Sequence, residues 1–332
     1  MTEPSRDITA LLRPSDVILG PMAGVTEAPF RAICKRMGAG LTYTEMVSAT
    51  GLHYNPDAAV SRALLTFAPE EVPCAVQLFG ADPAIMARQA AWIIERYGSD
   101  VASIDINMGC PVSKVVARGE GSGLMRTPEH AAAVVREVVA AVDVPVTVKF
   151  RSGWDDSSRN AAAFGLAMEE AGAAAMAVHG RTRAQFYRGQ ADWSVIAEVK
   201  RAVSVPVIGS GDVFSASDVV AMFEATGADA VMVARGSQGN PWIFREARAL
   251  VDEGVTLDPP TPLERIDVAL EHARALVDFG GERAVIRMRK HVAWYVHALP
   301  GAARVRERVN ATKSLSELEE LLLEYRAVLE RG

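Results

Sequence analysis

The chain between residues 16 and 234 repeats one pattern eight times: a short apolar run typical of a buried strand, usually followed by a longer stretch with helical periodicity. The predicted strands are Asp16–Ala23, Leu41–Val47, Pro73–Phe79, Val101–Met108, Pro145–Arg151, Ala174–His179, Pro206–Ser210 and Asp229–Ala234. The predicted helices among them are Glu27–Met37, Pro83–Tyr97, Pro128–Val142, Ser158–Ala171, Trp193–Ala202 and Ala216–Thr226. Eight such units, spaced by roughly 25 to 40 residues, match the size of a (β/α)8 TIM barrel. The repeat therefore predicts an α/β fold of this type.

A doubly wound open sheet is the alternative fold for alternating strands and helices. Its first strand-to-helix turn normally carries the pattern GxGxxG, whereas this turn reads GPMAGVTEAPF, so the barrel is favoured. After Pro259 and Pro260 only helical patterns remain. These helical runs lie near Leu263–Phe279, Arg283–Leu299 and Leu315–Glu330. We predict a barrel domain over residues 1–255 and a C-terminal all-α helical bundle over residues 256–332.

The cysteines and the N-terminal residues indicate a cellular compartment. Three cysteines at wide spacing fit neither a disulfide framework nor a CxxC zinc site. The first residues, MTEPSRDITALLRPSD, contain no apolar signal region, and no uncharged apolar run approaches the roughly 18 residues that span a bilayer. We therefore expect a cytoplasmic protein with no membrane association and no bound metal.

Charge is unevenly distributed along the chain. The net charge of −6 argues against a polyanionic partner held by bulk charge. Between residues 283 and 313, however, eight basic side chains face one acid, Glu307, so this window carries +7. The basic residues are Arg283, Arg287, Arg289, Lys290, Arg304, Arg306, Arg308 and Lys313. A basic patch is therefore predicted in the helical bundle.

Residues with functional chemistry stand at or just after the predicted end of nearly every strand. They are Pro21, Met22, Ala23, Glu45, Gln77, Asn107, Cys110, Lys149, Arg151, His179, Arg181, Ser210, Asp212 and Arg235. In a TIM barrel the active site forms where the strands end and the following loops begin. A single histidine or glutamine is more often a structural polar group, but their joint occurrence at one register predicts the lining of a cofactor or substrate pocket.

The loops after the seventh and eighth strands, GSGDV and ARGSQGNPW, suit a phosphate group. Glycines let backbone amides approach an anion, each loop opens a helix, and Arg235 adds a positive charge. Flavin mononucleotide (FMN) fits this arrangement, with Lys149 stabilising negative charge on the reduced ring and Gln77 bonding its pyrimidine edge. Pyridoxal phosphate is the alternative, because Lys149 could form a Schiff base.

Cys110 differs from the other two cysteines in its surroundings. A free cysteine is usually a small buried hydrophobic residue, and this is our prediction for Cys34 and Cys74. Cys110 instead follows a strand, between Gly109 and Pro111, in a glycine-rich loop. We expect its thiol to reach the substrate and to serve as a proton donor, which favours flavin over pyridoxal phosphate.

Several segments together resemble one enzyme family. The segments PMAGVTEAPFR, VQLFG, DINMGCPV, GSGLM, VKFRSGW, VHGRTR, GSGDV and ARGSQGNPWIF, with RKHVAWYVHALPGA in the tail, strongly resemble the tRNA-dihydrouridine synthases, particularly their bacterial type B branch. The resemblance implies an FMN-binding barrel joined to a helical tRNA-binding domain. It also implies reduction of selected tRNA uridines to dihydrouridine, with NADPH as the electron donor.

The resemblance also assigns roles to residues of this chain. Cys110 is the implied general acid, and Lys149 and His179 are implied to line the site. The residues implied to hold FMN are Pro21, Met22, Ala23, Gln77, Ser210, Gly211, Asp212, Ala234 and Arg235. The family usually has Asn in place of Ser210 and often Gly in place of Ala234, so a hydrogen bond there is shorter or rearranged.

These features lead to a hypothesis for the reaction. Hydride passes from reduced FMN to carbon 6 of an extruded uridine, and Cys110 protonates carbon 5. We expect this uridine to lie in the D-loop, where the bases are already unstacked. The residues expected to hold the base and the RNA are Asn107, Arg151, Arg181, Arg287 and Lys290, helped by Lys114, Arg118 and Arg126 in loops. We expect tRNA and not DNA as the partner, and a monomeric protein.

Two other functions remain open from the sequence. A flavin dehydrogenase acting on a free pyrimidine, of the dihydropyrimidine or dihydroorotate type, would share the barrel and the cofactor. The basic helical tail argues against it, because a small substrate needs no such surface. A non-catalytic RNA-binding protein on the same scaffold would need neither Cys110 nor Lys149 nor His179.

Overall fold

The computed structural model describes residues 8–13 and 15–331, so residues 1–7, 14 and 332 of the two predicted domains lie outside the described residues. The strands are β1 (Asp16–Leu19), β2 (Val47–Ser48), β3 (Cys74–Phe79), β4 (Val101–Met108), β5 (Val146–Arg151), β6 (Ala175–His179), β7 (Val207–Ser210) and β8 (Ala230–Val233). They form one parallel sheet in the order β1-β8-β7-β6-β5-β4-β3-β2. Eight parallel strands with intervening helices confirm the predicted TIM-barrel class.

The predicted second strand, Leu41–Val47, is wrong in its extent. Only two residues of β2 join the ladder, and Tyr43 makes an isolated parallel bridge to the β3 strand. The backbone before β2 still closes the barrel, since Leu19 N donates to Leu41 O at 2.9 Å and Gly40 N donates to Val17 O at 2.9 Å. Closure on this side therefore depends on an irregular extended segment.

The helices follow the predicted order with a few differences. They are α1 (Ala28–Arg36), α2 (Ala49–Tyr54), α3 (Ala59–Leu64), α4 (Pro83–Tyr97), α5 (Ser113–Val116), α6 (Pro128–Ala141), α7 (Ala161–Glu170), α8 (Trp193–Ala202), α9 (Ala216–Thr226), α10 (Ile243–Glu253), α11 (Pro262–Gly280), α12 (Val285–Tyr295), α13 (Ala302–Val309) and α14 (Leu315–Arg331). Short 3-10 turns are Ile8–Ala10, Gly98–Asp100, Gly121–Arg126, Arg235–Ser237 and Glu282–Ala284. The predicted helix Arg283–Leu299 is shorter in the structure, and α2, α3, α5, α10 and α13 were not predicted.

Local sequence explains where several helices begin. Asp82 accepts a hydrogen bond from Ile85 N at the start of α4, and Pro83 occupies the first turn. Ser215 and Thr261 form capping boxes with acids three residues later at the starts of α9 and α11. The Thr261 cap therefore determines where α11 begins after the irregular segment.

The described residues form three apolar clusters, of which two lie among the barrel elements and one is centred on the tail. Between the strands and the barrel helices lies a core that includes Phe150 and Phe164, whose rings meet edge to face at 5.1 Å between centroids. A second cluster packs α11, α12, α13 and α14 together around Met288 and Tyr295. The division near residue 255 stays a prediction.

The tail packs against α1 and the loop before it. Phe30 on α1 stacks on His272 of α11 at 5.4 Å between ring centroids. A buried ion pair fixes α1 from the barrel side: Arg31 Nε lies 2.6 Å from Glu71 Oε2, with both side chains within 1% of full burial. None of the helices in the described ranges combines the length and the apolar character needed to cross a bilayer.

Candidate active site at the carboxyl ends of the strands

The strand ends and the loops after them enclose a cavity of about 680 Å³. Its lining includes Pro21, Met22, Ala23, Gln77, Asn107, Cys110, Lys149, Arg151, His179, Ser210, Gly211, Asp212, Ala234 and Arg235. The volume lies in the range of ligand pockets. The structure thus brings together nearly all the residues predicted from the strand ends.

The strand register explains this convergence. Gln77 pairs with Asp105, Asn107 pairs with Lys149, and His179 pairs with Ser210 across neighbouring strands. Because paired residues in a sheet point to the same side, these side chains share one face. A shift by one residue in any strand would remove its side chain from the cavity.

A chain of hydrogen bonds runs below the cavity wall and ends at Cys110. Thr147 Oγ1 and Gln77 Nε2 donate to the two carboxylate oxygens of Asp105, each at 2.6 Å. Asn107 Nδ2 donates to Gln77 Oε1 at 2.8 Å, and Cys110 N donates to Asn107 Oδ1 at 2.9 Å. Burial raises the pKa of Asp105, and its two donors oppose that shift.

The carboxylate determines how the two amides are oriented. An ionised Asp105 only accepts hydrogen bonds, so Gln77 must present its NH2 group to it and its carbonyl to Asn107. Asn107 then donates to Gln77, which leaves its own carbonyl oxygen to receive Cys110 N. The buried Asp105 carboxylate therefore fixes the direction of each hydrogen bond from Gln77 through Asn107 to the backbone of Cys110.

The Cys110 thiol is partly exposed in the cavity wall and is protonated at neutral pH. Partial burial raises the pKa of the thiol above its ordinary value of 9.0, although Arg151 and Lys149 act in the other direction. The Cys110 carbonyl accepts from Ser122 N at 3.1 Å and Ser122 Oγ at 2.9 Å. A protonated thiol on an anchored backbone is suited to donating a proton.

Gly121 holds the following segment close to Cys110. Its φ of +57° lies in the left-handed region, and a Cβ atom there would approach Cys110 O to 2.9 Å. Glycine at position 121 therefore lets this backbone segment lie against the backbone of Cys110. Cys34 and Cys74 are fully buried, as predicted.

Lys149 and His179 come from the neighbouring strands β5 and β6, both line the cavity, and both have lowered pKa values. Burial, followed by the charge of Arg151, lowers the pKa of Lys149 to about 8. Burial, followed by the charge of Lys149, holds the pKa of His179 well below 6.5, so the imidazole is neutral. His179 Nδ1 accepts from Arg181 N at 3.1 Å, which places the single ring proton on Nε2.

Arg151 braces the loops around Cys110. Its Nε donates to Gly109 O at 2.8 Å, while Nη1 donates to Thr182 O and Phe186 O, each at 2.9 Å. These bonds join the loop after β4 to the loop after β6. The predicted contact of Arg151 with substrate stays a prediction. Such a contact would use Nη2, because Nε and Nη1 already donate to backbone carbonyls.

Arg181 and Asp212 form a bidentate ion pair at the phosphate-type loops. Arg181 Nη1 and Nη2 lie 2.8 and 2.6 Å from the Asp212 oxygens. Arg181 also donates to Arg188 O and Gly189 O. The Arg181 side chain is 2% exposed, and these hydrogen bonds all go to groups of the protein itself. Its predicted contact with substrate stays a prediction.

Arg235, in the loop after β8, lies beside this ion pair and lines the cavity. Its Nη2 lies 3.1 Å from Asp212 Oδ1, and its guanidinium lies over the rings of Tyr187 and Phe214 at 4.9 and 5.4 Å. At Gly236 a Cβ atom would stand 2.2 Å from Val213 O, so only glycine lets the two loops meet. The paired loops form a glycine-lined cationic corner.

Arg287 and Lys290 lie where α12 meets the barrel. Arg287 Nη1 lies 3.3 Å from Glu27 Oε1, and Lys290 Nζ donates to Gly24 O. Both side chains remain partly exposed. They join the tail to the loop before α1, and their predicted contact with RNA stays a prediction.

Comparison with known proteins identifies the family. The family model described as "Dihydrouridine synthase (Dus)" matches residues 18–330. This chain belongs to the dihydrouridine synthase family. The resemblance seen in its motifs is thereby confirmed.

Curated relatives of the dihydrouridine synthase family match most of the chain. A "tRNA-dihydrouridine synthase B" of Pseudomonas aeruginosa is 44% identical over 299 residues, covering 90% of this chain and 88% of the relative. A "Probable tRNA-dihydrouridine synthase 1" of Synechocystis is 42% identical over 316 residues, covering 95% and 87%. Among solved structures, histamine dehydrogenase from Rhizobium sp. 4-9 is 14% identical with a TM-score of 0.51, covering 98% of this chain and 65% of that chain, which shows a likeness of fold alone.

The cavity also contains residues that the sequence analysis missed. Met46, Tyr187, Phe214 and Gln238 contribute to its lining. Tyr187 and Phe214 are 55% and 49% exposed, which is unusual for large aromatic side chains. Their position in loops after β6 and β7 was the available signal, but strand-end reasoning does not extend that far into a loop.

Proposed function

We propose that this dihydrouridine synthase family member uses FMN and NADPH to reduce uridine in the D-loop of tRNA to 5,6-dihydrouridine. The observation that carries the proposal is the protonated Cys110 thiol, anchored through Asn107 in the wall of a cavity that also holds Lys149 and His179. Relatives that are named for this activity match nearly the whole chain.

The cavity suits FMN in its donors, charge and space. The corner of Gly211, Gly236 and Arg235 offers close backbone approach and a guanidinium for the phosphate group. Lys149 and the neutral His179 supply donors near the middle of the cavity. The residues proposed to hold FMN are Pro21, Met22, Ala23, Gln77, Lys149, His179, Ser210, Gly211, Asp212, Ala234 and Arg235. When bound, FMN supplies hydride for carbon 6 of uracil after reduction by NADPH.

Cys110 supplies the proton that balances the reaction. As carbon 6 gains a hydride, the electron pair of the carbon 5–carbon 6 double bond forms a new bond to the thiol proton at carbon 5. The resulting thiolate regains its proton from solvent. Asn107 and Arg151 hold the Cys110 loop through the backbone, and we propose that their remaining polar atoms also orient the base.

The basic tail is proposed to supply affinity for tRNA. Guanidinium and ammonium groups bind phosphates largely through charge, which an acidic barrel cannot provide in bulk. Arg287 and Lys290 lie close enough to the barrel to direct an RNA strand towards the cavity. Extruding a base costs a few kcal/mol, least in an unstacked loop, which favours a D-loop uridine. We propose a monomer acting in the cytoplasm.

A purified sample tests the whole proposal. The parent protein should be yellow with a flavin spectrum, and it should form dihydrouridine on unmodified tRNA when NADPH is added. In protein equilibrated with deuterated water, the solvent-exchanged thiol should place deuterium at carbon 5. A yellow protein that ignores tRNA but reacts with a free pyrimidine would replace the proposal by the dehydrogenase alternative, and a colourless protein without activity would favour a binding role.

A further inference from the structure

Two arginines lie over the ring of Trp154 in the loops that follow the barrel strands. The Arg126 guanidinium carbon lies 4.8 Å from the centre of the Trp154 ring, and that of Arg183 lies 4.6 Å from it. The three residues come from the loops after β4, β5 and β6. We name this arrangement the Trp154 stack.

Backbone bonds hold the Trp154 stack in place. Arg183 N donates to Gly153 O at 2.9 Å, which fixes the loop after β6 to the loop after β5. Asn160 Nδ2 donates to Met125 O at 2.9 Å, which fixes the residue before Arg126 to the same loop. The two guanidinium groups are therefore presented from connected loops, so ordering them on a ligand loses less entropy than ordering free side chains.

The positive charges of the Trp154 stack are not matched by ion pairs. Within residues 8–13 and 15–331, neither Arg126 nor Arg183 has a salt-bridge partner, and Arg183 Nε is buried without a hydrogen-bond acceptor. Of the acids beside Trp154, Asp156 pairs with Arg159 at 2.8 Å, and Asp155 accepts from serine hydroxyls of its own loop. The stack thus concentrates two available cations.

The Trp154 stack adjoins the cavity through one residue. Arg183 also lies 5.5 Å from the Phe186 ring, and the Phe186 carbonyl accepts from Arg151 Nη1. Arg151 and Tyr187, the next residue after Phe186, both line the cavity. A strand that delivers a base into the cavity would therefore pass close to these guanidinium groups.

We propose that Arg126 and Arg183, held on Trp154, bind the phosphate backbone of the RNA next to the uridine being reduced. The proposal rests on the proposed tRNA substrate and adds a barrel contact separate from the basic tail. A planar guanidinium can bond two phosphate oxygens at once, and stacking on an aromatic ring leaves its edge free to do so. The ring itself can also pack against ribose or a base.

Salt dependence of tRNA binding tests this role. The FMN-loaded full-length protein and the variant Arg126→Gln/Arg183→Gln would be titrated with unmodified tRNA between about 50 and about 200 mM KCl. Each lost phosphate contact lowers the slope of log affinity against log salt by about 1, so the expected loss is about 2. The KM for tRNA should rise more than kcat falls.

A matched control separates local contact from net charge. Arg136→Gln/Arg201→Gln removes the same two charges from exposed positions on α6 and α8, and it should leave the slope unchanged. Equal slopes in the two double variants would overturn the proposal. Unfolding midpoint and flavin content verify that each variant folds. A third variant, Trp154→Phe, keeps both arginines and a ring for stacking and should retain the parent slope.

The parent protein distinguishes this proposal from the proposed function. If the parent forms dihydrouridine and binds tRNA with a steep slope, while the Arg126→Gln/Arg183→Gln slope equals it, only the Trp154 stack proposal fails. If the parent neither binds nor modifies tRNA, both proposals fail.

Discussion

Gln77→Glu perturbs the buried chain of hydrogen bonds that runs from Asp105 to Cys110. The new carboxylate would stand 2.6 Å from the Asp105 carboxylate, where the amide NH2 donated before. Two carboxylates at that distance share one proton, so the folded variant must take up a proton that the unfolded chain does not hold. With an ordinary pKa of about 4.3, protonating a glutamate costs about 3.7 kcal/mol at pH 7 and about 1 kcal/mol at pH 5.

The second variant reverses the polarity of the pair. In Gln77→Glu/Asp105→Asn, the asparagine NH2 donates to the glutamate, Thr147 still donates to the asparagine carbonyl, and Asn107 still donates to residue 77. In the Asp105→Asn background, Gln77→Glu should lower the free energy of unfolding by about 1 kcal/mol or less at both pH 5 and pH 7.

Urea unfolding at pH 5 and pH 7 measures both effects. The folded pKa of the shared proton is raised, so the stability of the single variant must fall as pH rises from 5 to 7, and that of the double variant must follow the parent. Equal losses in both backgrounds, or a loss independent of pH, would refute the proposed amide orientations.

Three further predictions follow from buried and basic groups. Glu71→Ala leaves its buried arginine partner unpaired and should lower the free energy of unfolding by about 3–5 kcal/mol, whereas exposed Glu70→Ala should change it little; urea titration decides. Lys149→Met should stabilise the FMN-free protein at pH 7 by about 2–3 kcal/mol, because the folded pKa of about 8 lies below the ordinary 10.5. The difference in stability between Lys149→Met and the parent should then shrink between pH 8 and 10.5, where the unfolded parent keeps the Lys149 proton and the folded parent loses it, and a constant difference would contradict this. Arg287→Gln/Lys290→Gln should weaken tRNA binding and make its salt dependence shallower; an unchanged salt slope would restrict both residues to joining tail and barrel.

The regular part of the barrel could be predicted from the sequence because buried strands have a clear apolar pattern. The prediction for Val101–Met108 matches β4 at both ends, and Trp193–Ala202 matches α8. The second strand could not be delimited, since residues 40–44 close the barrel through single backbone hydrogen bonds and only Val47–Ser48 joins the ladder. Hydrophobic periodicity does not report such bonds.

The candidate site could be predicted only in part. Strand-end position was enough to bring Gln77 and Lys149 to one cavity, because parallel strands end at the same face. Strand-end position could not show that the Arg181 guanidinium donates its hydrogen bonds to Asp212 and to backbone carbonyls, since those partners depend on loop conformation. The contribution of Tyr187 to the cavity depends on the same loops.

The central claim is that Cys110 supplies the proton, and single-turnover reduction of tRNA uridine tests it most directly. Prereduced parent, Cys110→Ala and the buried-cysteine control Cys34→Ala would be mixed with unmodified tRNA, and dihydrouridine would be followed in time. The account predicts a rate loss of about 10²–10⁴ in Cys110→Ala alone, with flavin content and tRNA affinity retained. Cys110→Ala reacting at the parent rate would contradict it.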